Sequence, residues 1–233
     1  MTSSSIKDYA TVVDLLKDRK NDLETFTTYA PSHRFIEGFV SANSLSFAVK
    51  DEDGSIFAMA LGRDPVILNC DRLATSRGVI VDAKDFEHRA DWDFYSIDTA
   101  AFATLDSADT GSNSDEIAAF LNAHAPDSSV WPDDSEILFW GQKRIAGELV
   151  ALGALVQWRT GQVMFASIGT HFEHRNKGLA QQLVREMLAR VAKLGVAHVG
   201  LGVFAENVSA KRAYENVGFN LVNEFTSYRL LGN

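Results

Sequence analysis

The sequence predicts an α/β protein whose last third alternates strands and helices around a parallel strand pair. Three observations carry that expectation. First, Val163 to Thr170 reads as a strand, and Leu179, Leu183, Met187, Val191 and Leu194 then recur at spacings of four, four, four and three, the mark of one helical face. His198 to Phe204 reads as a strand again, and two strands linked through a helix in one sheet run parallel. Second, Asn207 to Val217 forms another helical run, ended by Gly218, a natural left-handed stop, before closing strands at 219–222 and 225–231. Third, 46% of the residues are hydrophobic and 23% charged, which is the composition of a folded globular chain and excludes disordered, collagen-like and coiled-coil classes. A chain of 233 residues accommodates one large domain or two smaller ones.

The earlier elements follow from pattern and punctuation. Ile6, Tyr9, Val13 and Leu16 share a face, so residues 6–29 are expected as a helix with Ser3 to Ser5 as capping hydroxyls. Leu45 to Val49 and Ile56 to Ala60 flank a Gly-containing turn and read as two strands. Pro65 to Leu68 and Gly78 to Val81 read as further short strands, whereas residues 83–93 are charged and show no clear period. A strand near 101–105 leads into a polar loop at 105–116. Ser114 can cap the helix that follows, whose face is Ile117, Phe120, Leu121 and His124. Strands near 136–142 and 148–158 complete the set.

Charge and cysteine content narrow the function classes. The formal charge is −9, which argues against a duplex nucleic acid partner. It is unevenly placed: residues 171–233 hold eight Lys and Arg against five Asp and Glu, and residues 1–170 hold fourteen against twenty-six. The basic end is the place to look for an anionic ligand. Cys70 is the single cysteine, so no intramolecular disulfide forms, consistent with a reducing compartment. Its expected role is that of a small buried apolar residue. Met1 to Asp8 lacks a secretory pattern, and the longest apolar run, 149–158, is half of a membrane span. The expectation is a cytoplasmic protein with no membrane partner.

The chemistry is carried by Ser167 to Leu183. Here a strand enters a basic, Gly-containing turn that opens a helix, with Arg175, Asn176, Lys177, Gly178, Leu179 and Ala180 at its centre. The first turn of a helix offers free N–H groups and the positive end of a dipole, so it binds phosphate. Gly178 lets a ligand approach the backbone, and Arg175 and Lys177 add charge. By itself the pattern is also that of an ordinary tight strand-to-helix loop. A second motif follows: Asn207, Ala210, Tyr214, Gly218 and Phe219 stand in the order Asn-x-x-Ala-x-x-x-Tyr-x-x-x-Gly-Phe. With Arg175, Gly178 and Ala180 as Arg-x-x-Gly-x-Ala, the pair resembles the signatures of the GNAT superfamily of acetyl-coenzyme A-dependent N-acetyltransferases. The resemblance is clear over about 136–231 and extends to about 100. Ser167 to His171 and Leu201 to Asn207 look like a subgroup common in actinobacterial acetyltransferases, whose N-terminal halves match poorly. Residues 1–99 would then be a degenerate transferase-like half or a cap on the acceptor side.

The resemblance implies a GNAT-like mixed, mostly antiparallel sheet with a parallel pair that splays at the cofactor, plus an N-terminal α/β region. Coenzyme A would pair its pantetheine arm with Ile168, Gly169 and Thr170 and rest its pyrophosphate on the N–H groups of Arg175, Asn176, Lys177, Gly178, Leu179 and Ala180. Gly200 and Gly202 would leave one face of the neighbouring strand without bulk; a close helix contact explains them equally well. Asn207 would bond the cofactor arm, although Asn is also a favoured N-cap. Tyr214 would be the catalytic residue and a cofactor contact, its phenol meeting the departing thiolate as general acid; packing beside Phe219 is the plain alternative. The base stays open. Val163 to Thr170 holds no Asp or Glu, while His171, Glu173, His174 and Glu206 lie nearby in sequence, and water relayed through backbone carbonyls is the leading reading. Trp131 and Trp158 read as core or rim rather than acceptor pocket, and Asp133, Asp134 and Glu136 as a solvated patch. No metal is implied, because the His and carboxylates show no ligand spacing.

The expected function is transfer of an acetyl group from acetyl-CoA to a primary amine by direct attack, the acceptor being a small molecule or a peptide, with a homodimer left open. Transfer of another acyl group, or to a hydroxyl, is the alternative within the fold. A non-catalytic acetyl-CoA sensor is the alternative of another class. A nucleotide-phosphate binder is disfavoured, since neither glycine-rich nucleotide fingerprint is present.

Overall fold

The computed structural model describes residues 4–82, 84–106, 109–111 and 113–231, and holds five α-helices and eleven strands among them. Ser3, one of the expected capping residues, lies outside the described residues. Contacts divide the chain into two compact units. One takes the chain up to Phe94 together with Phe204–Glu206 and the residues from Leu221; the other takes Tyr95–Val203 and Asn207–Asn220.

The first unit opens with α1 (Tyr9–Leu16) and α2 (Lys20–Tyr29), where one helix over 6–29 is expected. Asp8 caps α1 by accepting from Thr11 N–H at 2.9 Å, so the helix begins after the serines. The break falls at Arg19, whose backbone leaves the helical region while its guanidinium donates to the Ser41 carbonyl at 2.6 Å and pairs with Asp22. The strands are β1 (Phe35–Val40), β2 (Ser44–Lys50), β3 (Ile56–Gly62), β4 (Arg72–Ser76), residues 86–94 of β5 (Phe86–Asp98), and β11 (Asn220–Leu230) from residue 221. β1, β2 and β3 pair antiparallel, β3 and β4 parallel, and β4 and β11 antiparallel.

Several expectations are corrected here. Pro65–Leu68 and Gly78–Val81 are not strands, and the strand between them is Arg72–Ser76. The charged stretch at 83–93 holds the start of β5, a thirteen-residue strand. Its polar residues hid it: Asp93, fully buried, is bound by the Arg77 guanidinium, which also reaches Glu224 at 2.6 Å. A buried carboxylate is tolerated when it is paired in this way. The two closing strands are one continuous β11. Phe26 centres the core, with ring centroids of Tyr9, Phe35 and Phe47 at 4.8, 5.7 and 5.1 Å.

The second unit contains residues 95–98 of β5, a 3-10 turn at Ala100–Phe102 where a strand is expected, β6 (Asp109–Gly111) and α3 (Ser114–His124). Asn113, not Ser114, caps α3, accepting from Glu116 N–H at 3.1 Å. Ile117, Phe120 and Leu121 form its buried face, as the pattern predicts. β7 (Ile137–Ile145), β8 (Glu148–Gln157), β9 (Val163–Thr170), α4 (Leu179–Lys193), β10 (His198–Phe204) and α5 (Val208–Val217) follow, close to their sequence-derived positions. The strand order is β10-β9-β8-β7-β6; β9 and β10 are parallel and the other neighbours antiparallel. The expected mixed, mostly antiparallel sheet with a parallel pair is therefore present.

α4 seats Leu183, Val184, Met187 and Leu188, all fully buried, against this sheet. The approach is close because two strand positions are glycine. A β-carbon at Gly141 would lie 2.6 Å from Met187 Cγ, and one at Gly153 would lie 3.3 Å from Met187 Sδ. Overpacked cores lose about 1–3 kcal/mol. Gly141→Ala is expected to lower stability by about that amount in urea unfolding, and the loss to vanish when Met187→Ala is the background. Equal losses in both backgrounds would refute Met187 as the obstacle.

Candidate functional site

The site is built where β9 ends and α4 begins. The registered pairs of the parallel strands are Met164 with Gly200 and Phe165 with Leu201, and β9 runs on past them to Thr170. At this point β9 bulges: Leu152 faces Gly169 and Ala154 faces Ala166, so one extra residue sits on β9. Ser167 lies in the bulge with φ of +51°, a conformation rare outside glycine. It is held there by Val130, whose N–H donates to Ser167 Oγ at 3.0 Å and whose carbonyl accepts from it at 2.9 Å. Beyond the bulge, His171 N–H donates to Val150 O on β8 at 3.0 Å. Donors alternate sides along a strand, so the N–H of Gly169 shares the β8 side and that of Thr170 turns toward β10. Gly169 itself is required by packing, because a β-carbon there would meet Ala125 Cβ at 3.0 Å.

Next comes the basic turn. Phe172–His174 makes a 3-10 turn, Arg175 is extended, and Asn176 has φ of +61°. Gly178 is the N-cap of α4 with φ of +74° and makes no side-chain cap. A β-carbon at Gly178 would meet nothing within 4 Å, so the backbone angle is what calls for glycine. No side chain caps the first-turn donors of α4, which leaves them for a ligand. Arg175 donates to the carbonyls of Thr170 (3.2 Å) and His124 (2.8 Å) and its guanidinium lies 4.9 Å over the Phe172 ring. Lys177 Nζ donates to the Glu173 carbonyl at 2.9 Å. Carbonyls, not carboxylates, hold both cations, so the turn keeps its positive charge.

Asn207 caps α5: its Oδ1 accepts from Ala210 N–H at 3.1 Å and from Ser209 Oγ at 3.1 Å. The amide nitrogen takes no part in the cap. Tyr214 is buried on α5, 6.0 Å between ring centroids from Phe219. Burial raises its pKa above the usual phenol value, so the hydroxyl stays protonated at neutral pH. Ile168 is half-buried, packed against the core of this unit.

Sequence reasoning missed a cluster beside the turn. His124, at the end of α3, packs at a 47° tilt against His171 with ring centroids 4.0 Å apart, and His171 lies 5.5 Å from His174. Glu148, on β8, places its carboxylate 3.6 Å from His171 Nε2 and 3.9 Å from His174 Nε2. No spacing rule links residues so far apart; the β8–β9 pairing brings Glu148 to the histidines. Ligand atoms of Glu148, His171 and His174 fall within 4.8 Å of one another. His171 Nδ1, however, accepts from Glu173 N–H at 3.3 Å. The proton of the neutral ring therefore sits on Nε2, the atom facing Glu148, where a metal would need a lone pair.

The remaining candidates stand apart from this chemistry. Trp131 is half-buried and donates from Nε1 to the Ser128 carbonyl at 3.1 Å, and Trp158 is also half-buried. Asp133 and Asp134 are exposed, as is Glu206. Cys70 is buried, and burial pushes its thiol up to about 11.

The bulge makes a testable demand on Ser167. Ser167→Ala removes both bonds to Val130, and each is worth about 0.5–1.5 kcal/mol. The expected result is stability lowered by about 1–3 kcal/mol and faster hydrogen exchange at the Val130 amide. Unchanged exchange at Val130 would show that the bulge does not depend on this contact.

Comparison with known proteins places these observations in a family. Residues 86–219, more than half of the chain, match the acetyltransferase (GNAT) family. An uncharacterized N-acetyltransferase of Bacillus subtilis (strain 168), YsnE, is 30% identical over 95 residues, which are 40% of this chain. The match spans 62% of that relative's length. A GCN5-related N-acetyltransferase from Kribbella flavida shares the fold with a TM-score of 0.56 at 13% identity, over 91% of this chain and 96% of its own. An acetyltransferase of the GNAT family from Colwellia psychrerythraea does so with a TM-score of 0.53 at 11% identity, over 99% of this chain and 100% of its own. The match across β5 to α5 takes in both the basic turn and the helix that carries Tyr214, and the chain belongs to the GNAT acetyltransferase family.

Proposed function

We propose that the protein transfers an acetyl group from acetyl-CoA to a primary amine. The observation that carries this reading is the α4 N-terminus: a first turn without a side-chain cap, behind Gly178 at φ +74°, beside a strand whose parallel pairing has ended. The residues fit a pyrophosphate. The N–H groups of Asn176 to Ala180 offer donors, whereas that of Arg175, expected among them, turns back to the Phe172 carbonyl at 3.3 Å; Lys177 and Arg175 supply charge, and no β-carbon at 178 intrudes. Ile168 to Thr170 offer backbone groups for the pantetheine arm. The thioester is the acyl source, and its carbonyl gains negative charge as the amine attacks. The Thr170 N–H, turned away from β8, is the donor best placed by strand alternation to stabilise that charge.

Tyr214 acts as the acid. Its buried, protonated phenol donates to the sulfur as the thiolate departs. Asn207 bonds the cofactor arm through its amide nitrogen while its oxygen caps α5. The amine must be neutral to attack, and β9 has no carboxylate to take its proton. Water relayed through backbone carbonyls does so in this reading. The acceptor is a small amine or a peptide N-terminus, and nucleic acid is disfavoured by the net charge of −9. No described helix is long and apolar enough to cross a membrane. The unpaired Cys70 supports a cytoplasmic location.

Calorimetric titration with acetyl-CoA tests the reading. Wild type is expected to bind, and Gly178→Glu, folded by circular dichroism, to show no detectable binding; tight binding by that variant would displace the pyrophosphate from this turn. Tyr214→Phe is expected to bind normally and to turn over an accepted amine about 100-fold more slowly, the lower end of general acid–base contributions. Equal turnover would remove Tyr214 as the acid. Binding without turnover on any amine would favour an acetyl-CoA sensor.

A further inference from the structure

His124 has no part in the machinery assigned above, yet it is the point at which α3 meets the basic turn. Its ring packs at a tilt against His171, lies 4.6 Å from the edge-on Phe172 ring, and is 4.8 Å from Phe120 on its own helix. Its carbonyl, one of the last of α3, accepts from Arg175 Nη2 at 2.8 Å. Its Nδ1 is buried with no hydrogen-bond partner, and so is that of His174. The charged and titratable groups that face it are His171 at the end of β9, His174 in the 3-10 turn, Arg175 in the basic turn and Glu148 on β8.

We propose that His124 is a positioning residue: its neutral imidazole, packed against His171, seats the C-terminus of α3 on the turn at 171–178, and protonation unseats it, so that acyl-donor binding weakens at acid pH. The donor half of this statement rests on the function proposed above; the seating half does not.

The physical argument is a balance of charges. A proton on His124 creates a cation facing a second imidazole at stacking distance, beside a guanidinium already bound to the same residue's carbonyl. His171 Nδ1 is already engaged by the Glu173 N–H at 3.3 Å. Among the described residues Glu148 is the anion paired with these groups, and its side chain is 56% exposed, so water screens most of its help. Burial first, then the His171 and Arg175 charges, hold His124 below the usual imidazole pKa. The folded state thus binds fewer protons than the unfolded one between that lowered value and about 6.5, the ordinary one. Stability of the seat rises with pH across this window and is lost as pH falls through it. An opposing effect exists: a nearby imidazolium also attracts an anionic donor. The two effects have opposite signs on binding, so the experiment separates them.

The first arm uses the protein without ligand. Amide exchange is read at Ala125, whose N–H donates to Leu121 O at 2.9 Å in the last turn of α3. After correction for intrinsic rates, wild type is expected to lose protection about tenfold between pH 7.5 and 5.5. His124→Phe, a neutral stacking ring, should show no such loss, and His124→Lys should be unprotected already at pH 7.5. Equal protection of wild type at both pH values would overturn the seating. Should His124→Phe fail to fold, His124→Leu, which carries no titratable group, reads the same contrast. The second arm compares the dissociation constant for acetyl-CoA at the two pH values. Taken as the ratio of wild type to His124→Phe, it cancels ionisation of the donor itself. A rise of about fivefold at pH 5.5 is expected for wild type relative to the variant. A relative fall would overturn the proposal and make His124 a counter-charge for phosphate. No binding by wild type at pH 7.5 would sink the proposed function, while the exchange arm would still judge the seat.

Discussion

The structure around the candidate site depends on one constraint, the extra residue in β9. A strand between two neighbours normally spends its N–H and C=O groups on both sides. Here the bulge at Ser167 falls just past the last registered pair with β10, and the Val130 backbone fixes it through the serine hydroxyl. The strand thereby keeps its antiparallel bonds to β8 while turning peptide groups away on the other side. A regular strand would close this opening by pairing, and an unpinned one would leave a non-glycine residue at positive φ with nothing to hold it. The distal loop at 128–131 is thus as much a part of the site's architecture as the basic turn.

How far the sequence reveals this differs by region. From β7 to α5 the elements fall almost where periodicity puts them, because each helix buries one clean stripe and each strand is apolar. Met187 is placed on its stripe by spacing alone, and its glycine neighbours make the stripe fit closely. The first unit was harder to read. β5 begins as Phe-Glu-His-Arg-Ala-Asp, whose charged residues Glu87, Arg89 and Asp91 share one face with Asp93, and no local rule marks Asp93 as buried. Arg77, sixteen residues away, pairs with it and helps make that burial tolerable. Pro65 to Leu68 is apolar enough to be a strand, but it is a loop that leaves Val66 and Ile67 exposed and is anchored by the buried Leu68 and Cys70.

At the site, the residues that act through the backbone were legible, since Gly178 and the basic turn are a local pattern. Residues that act through contact were not. Asn113 takes the cap from Ser114 one position away, a shift that cap preference alone does not resolve. Spacing puts His124 on the face it shares with Ile117, Phe120 and Leu121, where it lies half-buried, but its partners His171 and Arg175 come from the far end of another strand and the turn after it. Arg175 reads from sequence as a phosphate cation. In the fold it also ties Thr170 to the end of α3, so one side chain serves both the charge of the turn and its attachment.

The buried thiol of Cys70 has a practical corollary. Acyl transfer from a thioester liberates a free thiol, and reagents that report thiols are the simplest way to follow it. An enzyme with exposed cysteines contributes its own signal and is itself modified by the reagent. Here the lone sulfhydryl is enclosed and its thiolate form is suppressed well above neutral pH, so the native protein is silent to such reagents. The same silence makes the chain a clean background for a single introduced cysteine, placed wherever a spectroscopic label is wanted.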